Sequence, residues 1–455
     1  MKGKGLQGLT QEVKERLIQQ VLERRARRLE GGLADRASPA MPEGRPVAAA
    51  NAEIPERFCR FDQHPVYQQQ RLIREGAARL GIADPFFRAH EGVAAATTVI
   101  AGREYLNFSS YNYLGLSGDP RVNEAVKRAV DRYGTSASAS RLVSGERPIH
   151  GELEAALAAL YGVDACLAFV SGHATNVTTI GHLFGPRDLV VHDALAHNSI
   201  LQGAHLSGAR RLSFPHNDWA ALDELLAAQR RQFERVLIVV EGLYSMDGDF
   251  PDLPRFVGIK RRHRAFLMVD EAHSLGVLGA RGHGIREHFG LDGRDVDIWM
   301  GTLSKTLASC GGFVAGEQAL VEQLKFAAPG FLYSVGMPPP VAAAALAALE
   351  CFLAEPERVA TLQARGRLFL DTAQAAGVDT GLSAGYSVVP AITGSSVRAG
   401  RLAEGLFQRG INVQPIVYPA VPEKGARLRF FLSSSHTEEQ VRTAVAAVTE
   451  ELKKL

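Results

Sequence analysis

At 455 residues, 46% of them hydrophobic, the chain is long enough to bury a substantial core and to divide into two or three domains. A formal net charge of +2 gives no overall field of the kind that gathers nucleic acid or an anionic membrane surface. The four cysteines, Cys59, Cys166, Cys310 and Cys351, stand too far apart for C-x-x-C metal or redox pairs, and so few in so long a chain suit a reducing cytosol.

The N-terminus, "MKGKGLQGLTQEVKER", is polar and has no apolar signal core, so the chain is expected to be cytoplasmic. Residues 10–30 place Val13, Leu17, Ile18, Val21, Leu22 and Leu29 at helical spacing behind Thr10 as N-cap, and the same helix carries Arg24, Arg25, Arg27 and Arg28. The following "EGGLADRASPAMPEGRPVAAANAE" is rich in Gly, Pro and Ala and reads as a flexible linker. Residues 1–53 are therefore expected to be an appendage, and 54–119 a segment packing on the core that follows.

From about residue 120, helical patterns alternate with short apolar runs: "ACLAFVSG", "RDLVVHD", "RRLSF", "RVLIVVEG", "AFLMVDE" and "VDIWMGT". Nearly continuous apolar strands separated by helices indicate an α/β fold with a mostly parallel sheet covered on both faces, here a large domain over 120–340. Ligands of such sheets bind beyond the carboxyl ends of the strands, and these runs end in Ser171, His192 with Asp193, Glu241, Asp270 with Glu271, and Thr302. "PVAAAALAALECFLA" is short, Ala-rich and carries Glu350, which fits a buried helix and not a membrane span. Shorter strands at "SVVPAITG", "INVQPIVY" and "RLRFFLS" indicate a smaller C-terminal α/β domain over 341–455.

The segment "FLMVDEAHSLG" (Phe266–Gly276) contains a DEAH string of the kind found in nucleotide-driven motors. A motor also needs a G-x-x-x-x-G-K-[ST] loop to hold the nucleotide phosphates, and the chain has none. The next strand leads into "MGTLSKTLASCGGFVAG", where Lys305 sits among small residues that let a bulky group approach closely. A carboxylate at one strand end and a lysine at the next is the pairing a pyridoxal phosphate enzyme needs. The lysine forms a Schiff base, and the carboxylate keeps the pyridine nitrogen protonated. "VSGHATNVTTIGHLF" supplies a strand, a turn at Gly172 and a helix beginning near His173, whose N–H groups suit a phosphate.

Taken together and in order, "SASRLVSGERPIHGELE", "EGLYSMDGD", "VDEAHSLGVLGARGHG" and "GTLSKTLASCGGFVAG" resemble the α-oxoamine synthases, a branch of the fold-type I pyridoxal phosphate (PLP) enzymes. The likeness runs from about residue 85 to the end. It implies condensation of a small amino acid with an acyl thioester, carried by CoA or an acyl carrier protein, with loss of CO2 and formation of an α-amino ketone. It further implies that Lys305 carries the cofactor and later removes the α-proton. Asp270 would pair with the pyridine nitrogen, His273 with the ring hydroxyl, and Ser245 would lie beside the ring. His197 would stack on the ring and orient the substrate, and Gly172, His173, Thr302 and Ser304 would surround the phosphate. Ser334 would reach that phosphate from the second subunit of a homodimer, and Arg429, in preference to its neighbour Arg427, would hold the substrate carboxylate.

Three positions depart from the common family pattern. His173 stands where an aromatic residue usually follows the phosphate-turn glycine, Tyr111 where an asparagine often binds substrate, and Ala420 where some members carry a threonine. Tyr111 therefore joins the substrate-binding candidates, and glycine, alanine and serine all remain open as the amino acid. The basic helix at 10–30 would suit docking of an acidic carrier protein, and a solvated helix accounts for it equally well. Two other readings stand beside this one. An aminotransferase or lyase of the same fold is opposed by "EGLYSMDGD" and "SASRLVSGE", and a catalytically silent partner subunit is opposed by the presence of Lys305.

Overall fold

The computed structural model describes residues 54–455, so the basic helix at 10–30 and the linker after it lie outside the described residues. Two compact units are present. The larger holds residues 89–391 and 429–449; the smaller holds 54–88, 392–428 and 450–455.

The larger unit opens with an antiparallel hairpin, β1 (Thr97–Ile100) and β2 (Arg103–Asn107), turned at Ala101 and Gly102, both at positive φ. Seven strands then build one sheet: β3 (Ala165–Phe169), β4 (Leu189–Asp193), β5 (Arg210–Phe214), β6 (Val236–Glu241), β7 (Phe266–Asp270), β8 (Ile298–Thr302) and β9 (Gly312–Gly316). Their spatial order is β3-β9-β8-β7-β6-β4-β5. The β5–β4–β6–β7–β8 run is parallel throughout, and β9 alone is reversed, pairing antiparallel with β3 and β8. β4 and β6 are buried along their whole length, as a sheet covered on both faces requires. Each fully buried Val, Leu or Ile there contributes roughly 1.5–3 kcal/mol, which is why these strands are continuous apolar runs.

Six strands fall on the apolar runs of the sequence, but β9 is a correction to that reading. "CGGFVAG" looks like part of the loop around Lys305, yet its glycines belong to a strand. A Cβ on Gly312 would stand 2.5 Å from Thr175 Oγ1 and 2.7 Å from Gly172 Cα, so the helix after β3 can lie this close only to bare backbone.

Helix ends follow local chemistry. Pro120–Tyr133 starts on Asp119, whose carboxylate accepts the Arg121 N–H at 3.0 Å, and ends at Gly134, φ 75°. The Ala-rich Pro339–Ala354 is the expected buried helix, packed against Pro120–Tyr133 and Pro148–Tyr161. With Pro356–Ala375 it belongs to the larger unit, so the smaller unit is not simply the block after residue 340. The three C-terminal apolar runs form strands at Val388–Ile392, Ile411–Asn412 with Gln414–Ile416, and Arg427–Phe431. Among the described residues no single helix is long and apolar enough to cross a membrane.

In the smaller unit Arg88 ties its segment to helix Ser396–Gln408. Its guanidinium lies 3.5 Å from the Phe407 ring centroid and 3.6 Å from Glu404 Oε2.

Candidate active site

Parallel pairing turns adjacent strand ends into adjacent side chains. β4, β6 and β7 end in Asp193, Glu241 and Asp270, and Glu241 lies directly opposite Asp270 in the register. β8 ends in Thr302, and the loop from there to β9 carries Lys305.

Asp270 is buried. Its Oδ2 accepts a hydrogen bond from Asn176 Nδ2 at 2.8 Å and its Oδ1 one from the Ala272 N–H at 3.0 Å. Glu241 Oε1 accepts the His197 N–H at 2.7 Å, which fixes the start of helix Asn198–Ser207. Burial, then the charge of Asp270, pushes the Glu241 carboxyl well above the usual range, toward the neutral acid. Burial lowers the Lys305 amine to about 7 against the opposing pull of Asp270 and Glu241, so a large share is a neutral nucleophile at ordinary pH. Its Nζ lies 5.6 Å from the centroid of the Tyr111 ring.

His273, buried, faces the Tyr113 hydroxyl through Nδ1 at 2.7 Å. Burial, with the charges of Lys305 and Arg429, holds this imidazole well below its ordinary pKa, so it is neutral. Burial likewise raises the Tyr113 hydroxyl, which keeps its proton. With Tyr113 as donor to Nδ1, His273 Nε2 would be the N–H donor. Tyr111 stands edge-on to His273 at 6.1 Å and to Phe431 at 4.8 Å between centroids.

His197 caps helix Asn198–Ser207, its Nδ1 2.7 Å from Ser199 Oγ, and burial lowers its pKa although Asp270 opposes the shift. The exposed His173 ring is 6.4 Å from it, edge to face. Arg429 Nη1 donates to the Ser245 carbonyl at 2.9 Å, and its guanidinium sits 4.6 Å from the Phe431 ring centroid. Arg427 instead turns its Nε onto the Gly425 carbonyl at 2.7 Å, which favours Arg429 of the two.

Gly172 opens the helix Gly172–Leu183 behind Ser171 as N-cap, and Thr302 lies directly against it. Thr302 Oγ1 is 2.8 Å from Ser304 Oγ and donates to the Gly311 carbonyl at 2.9 Å. These three residues therefore form one cluster beside free helix N–H groups. Ser334 does not join the other candidates within this chain: its hydroxyl bonds the Val335 carbonyl at 3.2 Å, between the exposed Tyr333 and Val335.

Sequence reasoning missed Tyr113, Asn176 and Ser199. Asn176 bridges Ser199 Oγ, 2.9 Å away, and Asp270. A signal for it existed: asparagine is a poor helix former, and here it stands inside a helix one turn after Gly172.

The residues present fit PLP. A buried carboxylate suits the pyridine nitrogen, an amine of lowered pKa suits the aldehyde, and Arg429 Nε is a buried donor with no acceptor among the described residues. A Cβ at Gly172 would fill the space beside Thr302.

The chain matches the aminotransferase class I and II family over residues 103–448. It is 41% identical over 350 residues to 8-amino-7-oxononanoate synthase of Symbiobacterium thermophilum, covering 77% of this chain and 89% of that one. Against the protein of the same name from Geobacter sulfurreducens the identity is 43% over 364 residues, covering 79% and 92%. Among solved structures, SPT (serine palmitoyltransferase) with PLP as its internal aldimine superposes with a TM-score of 0.82 at 29% identity, covering 86% of this chain and 98% of that one.

Proposed function

Since the chain belongs to the α-oxoamine synthases within the aminotransferase class I and II family, and is a PLP-dependent acyltransferase, we propose that it condenses glycine, alanine or serine with an acyl thioester. The products are an α-amino ketone, CO2 and the free thiol. The observation that carries this reading is the placing of Asp270, buried at the end of β7, within electrostatic reach of the half-buried Lys305 in the loop after β8, with Arg429 acting on the same amine. Asn176 braces Asp270, and Glu241 holds the start of the helix that carries His197.

When bound, PLP supplies an electron sink that acidifies the α-carbon of the attached amino acid. Asp270 would hold the proton on the pyridine nitrogen, and His273 would face the ring hydroxyl. Gly172, His173, Thr302 and Ser304 would hold the phosphate at the helix start, with Ser245 and His197 beside the ring and His197 orienting the substrate. Arg429 would bind the amino acid carboxylate, and Tyr111 would bound the same pocket. Lys305 Nζ would hold the cofactor and would be the base for the α-proton. The net change would form a bond from the α-carbon to the thioester carbonyl carbon and break the C–S bond, whose electron pair leaves on the thiolate to be protonated to the thiol; loss of the carboxylate as CO2 would return its electron pair to the α-carbon, which takes up a proton.

The working form is a homodimer in which Ser334 reaches the phosphate of the other copy. The exposed Leu142, Val143 and Tyr333 give that face the apolar character an interface needs. The acyl donor is a carrier protein or CoA, Arg24, Arg25, Arg27 and Arg28 would suit an acidic carrier, and the cytoplasm supplies both donors.

The test is the visible spectrum of the purified protein, titrated with glycine, L-alanine and L-serine. The reading expects cofactor absorption that is lost in Lys305→Ala and shifts with at least one amino acid, and CO2 release when acyl-CoA or acyl-carrier protein is added. A protein that shows no cofactor absorption after incubation with PLP overturns it.

A further inference from the structure

Beside the catalytic groups lies a buried charged cluster that the reaction itself does not use. His216 sits just after β5 between two buried carboxylates. Its Nδ1 is 2.8 Å from Asp193 Oδ1, and its Nε2 is 2.8 Å from Asp249 Oδ2. A neutral imidazole has one N–H and one lone pair, so one of these contacts would set a lone pair against a carboxylate oxygen. Only the imidazolium can donate to both. Burial works against that charge, but the hydrogen bonds and charges of Asp193 and Asp249 outweigh it and push the pKa up to about 10.

Asn217 follows at φ 55° and completes the cluster. Its N–H donates to Asp193 Oδ2 at 2.8 Å, and its Nδ2 donates to Asp249 Oδ2 at 2.7 Å. The Tyr244 ring stands edge-on to His216, 4.5 Å between centroids.

The two aspartates belong to the two loops that present amino-acid-facing groups. Asp193 ends β4, accepts the Leu195 N–H at 2.7 Å and so shapes the turn that delivers His197. Asp249 closes the loop after β6, where its carbonyl accepts the Tyr244 N–H at 2.8 Å. The intervening Ser245 carbonyl takes the Arg429 hydrogen bond. Lys305, Asp270, Thr302 and Gly172 stand on other elements, and none of the cluster's side-chain hydrogen bonds among the described residues reaches them.

We propose that His216 is a positioning residue for the amino acid substrate: as a cation clamped between Asp193 and Asp249 it locks the His197 loop to the Ser245–Arg429 loop. This rests on the function proposed above. The clamp acts on how the substrate is held and leaves the seat of the cofactor alone. His216→Gln removes the cation and can donate to only one of the carboxylates, leaving the other buried and unmatched.

The experiment compares wild type, His216→Gln, Asp249→Asn and the double variant His216→Gln/Asp249→Asn as holoenzymes, each titrated spectrally with glycine, L-alanine and L-serine and assayed for turnover per bound cofactor. For His216→Gln the expectation is PLP affinity within about twofold of wild type and a rise of about tenfold or more in the amino acid KM. In the double variant the two introduced amides can pair with each other, so amino acid affinity should recover severalfold. A His216→Gln enzyme with unchanged amino acid KM and kcat per bound cofactor, whatever its melting temperature, overturns the proposal. Loss of PLP affinity that accounts for the whole defect overturns it equally. If His216→Gln does not fold, Asp249→Asn decides: it opens one side of the clamp and must raise the amino acid KM. A wild-type protein without cofactor absorption or amino acid response would instead refute the function and not the clamp.

Discussion

Replacing Gly172 by Ala tests the proposed phosphate seat with a single methyl group. The added Cβ would stand 2.8 Å from Thr302 Oγ1, 3.1 Å from Thr302 Cβ and 3.5 Å from the Gly311 carbonyl oxygen. Thr302 is not free to swing aside, because its hydroxyl donates to the Gly311 carbonyl at 2.9 Å and accepts the Ser304 N–H at 3.3 Å. Overpacking of this kind costs about 1–3 kcal/mol, and the better helix propensity of alanine offsets up to about 1 kcal/mol of it. A net penalty of up to about 2 kcal/mol falls on the residues assigned to the phosphate, so PLP should bind more weakly by up to about 30-fold. The assay is titration of the apoprotein with PLP, followed by visible absorption, beside thermal melting of the apoprotein. Gly258→Ala is the control: it lies in helix Leu253–His263 with no atom within 4 Å of the new Cβ, and should leave PLP affinity alone. If Gly172→Ala binds PLP within twofold of wild type while its melting temperature falls, the cluster is structural and the phosphate sits elsewhere.

Three further outcomes are expected. Arg429→Lys should raise the amino acid KM about tenfold or more, since an ammonium cannot hold a carboxylate bidentately, while Arg427→Lys, whose Nε serves the Gly425 carbonyl, should leave it within about twofold; equal effects on steady-state KM would reverse the choice between them. The rate at which the apoprotein captures PLP should climb as pH rises through about 7 and level off above it, because burial lowers Lys305 to about 7 and the neutral amine is the reactive form; stopped-flow rates still rising toward pH 10 would contradict the burial argument. Tyr113→Phe should destabilise the apoprotein by about 1–3 kcal/mol in denaturant titrations, because it leaves His273 Nδ1 buried without its partner; an unchanged unfolding midpoint would mean the bond contributes nothing.

What the sequence made legible, and what it hid, follow from one physical distinction. Strands buried on both faces must be apolar throughout, so β4, β6 and β7 stand out as runs, and the polar residue closing each run marks the site edge. β9 lacks that signature because its place is set by what presses on it. Gly312 is glycine for the sake of Thr175 and Gly172, more than a hundred residues earlier. The same holds for the supporting side chains. Tyr113 meets His273 across 160 positions and Asn176 meets Asp270 across 94, and periodicity carries no information over such separations. Nor did "FPHND" advertise His216, whose role exists only because β4 and the loop after β6 converge on it. Arg429 could be preferred to Arg427 by motif register alone, but the physical ground for the preference is the different carbonyl each one meets.

Three carboxylates at neighbouring strand ends, Asp193, Glu241 and Asp270, pose a problem that the fold answers with three different devices. Left ionised and unmatched in a buried site, they would repel one another strongly. Burial raises Asp193, but His216 and the N–H groups of Asn217 and Leu195 bring it below the ordinary range, so it remains an anion neutralised on the spot. For Glu241, burial and the charge of Asp270 outweigh the pull of Lys305 and drive it toward the neutral acid, which lets it take the His197 N–H without adding charge beside Asp270. Asp270 receives only the neutral donors Asn176 Nδ2 and Ala272 N–H among the described residues. Two of the three charges are thus removed from play, one by pairing and one by protonation. On the function proposed above, the carboxylate left to hold a proton on a pyridine nitrogen would be Asp270, in the strand adjacent to the one that leads to Lys305. By the same argument Glu241 and Asp193 would not stand in for it, although they occupy equivalent places on their strands.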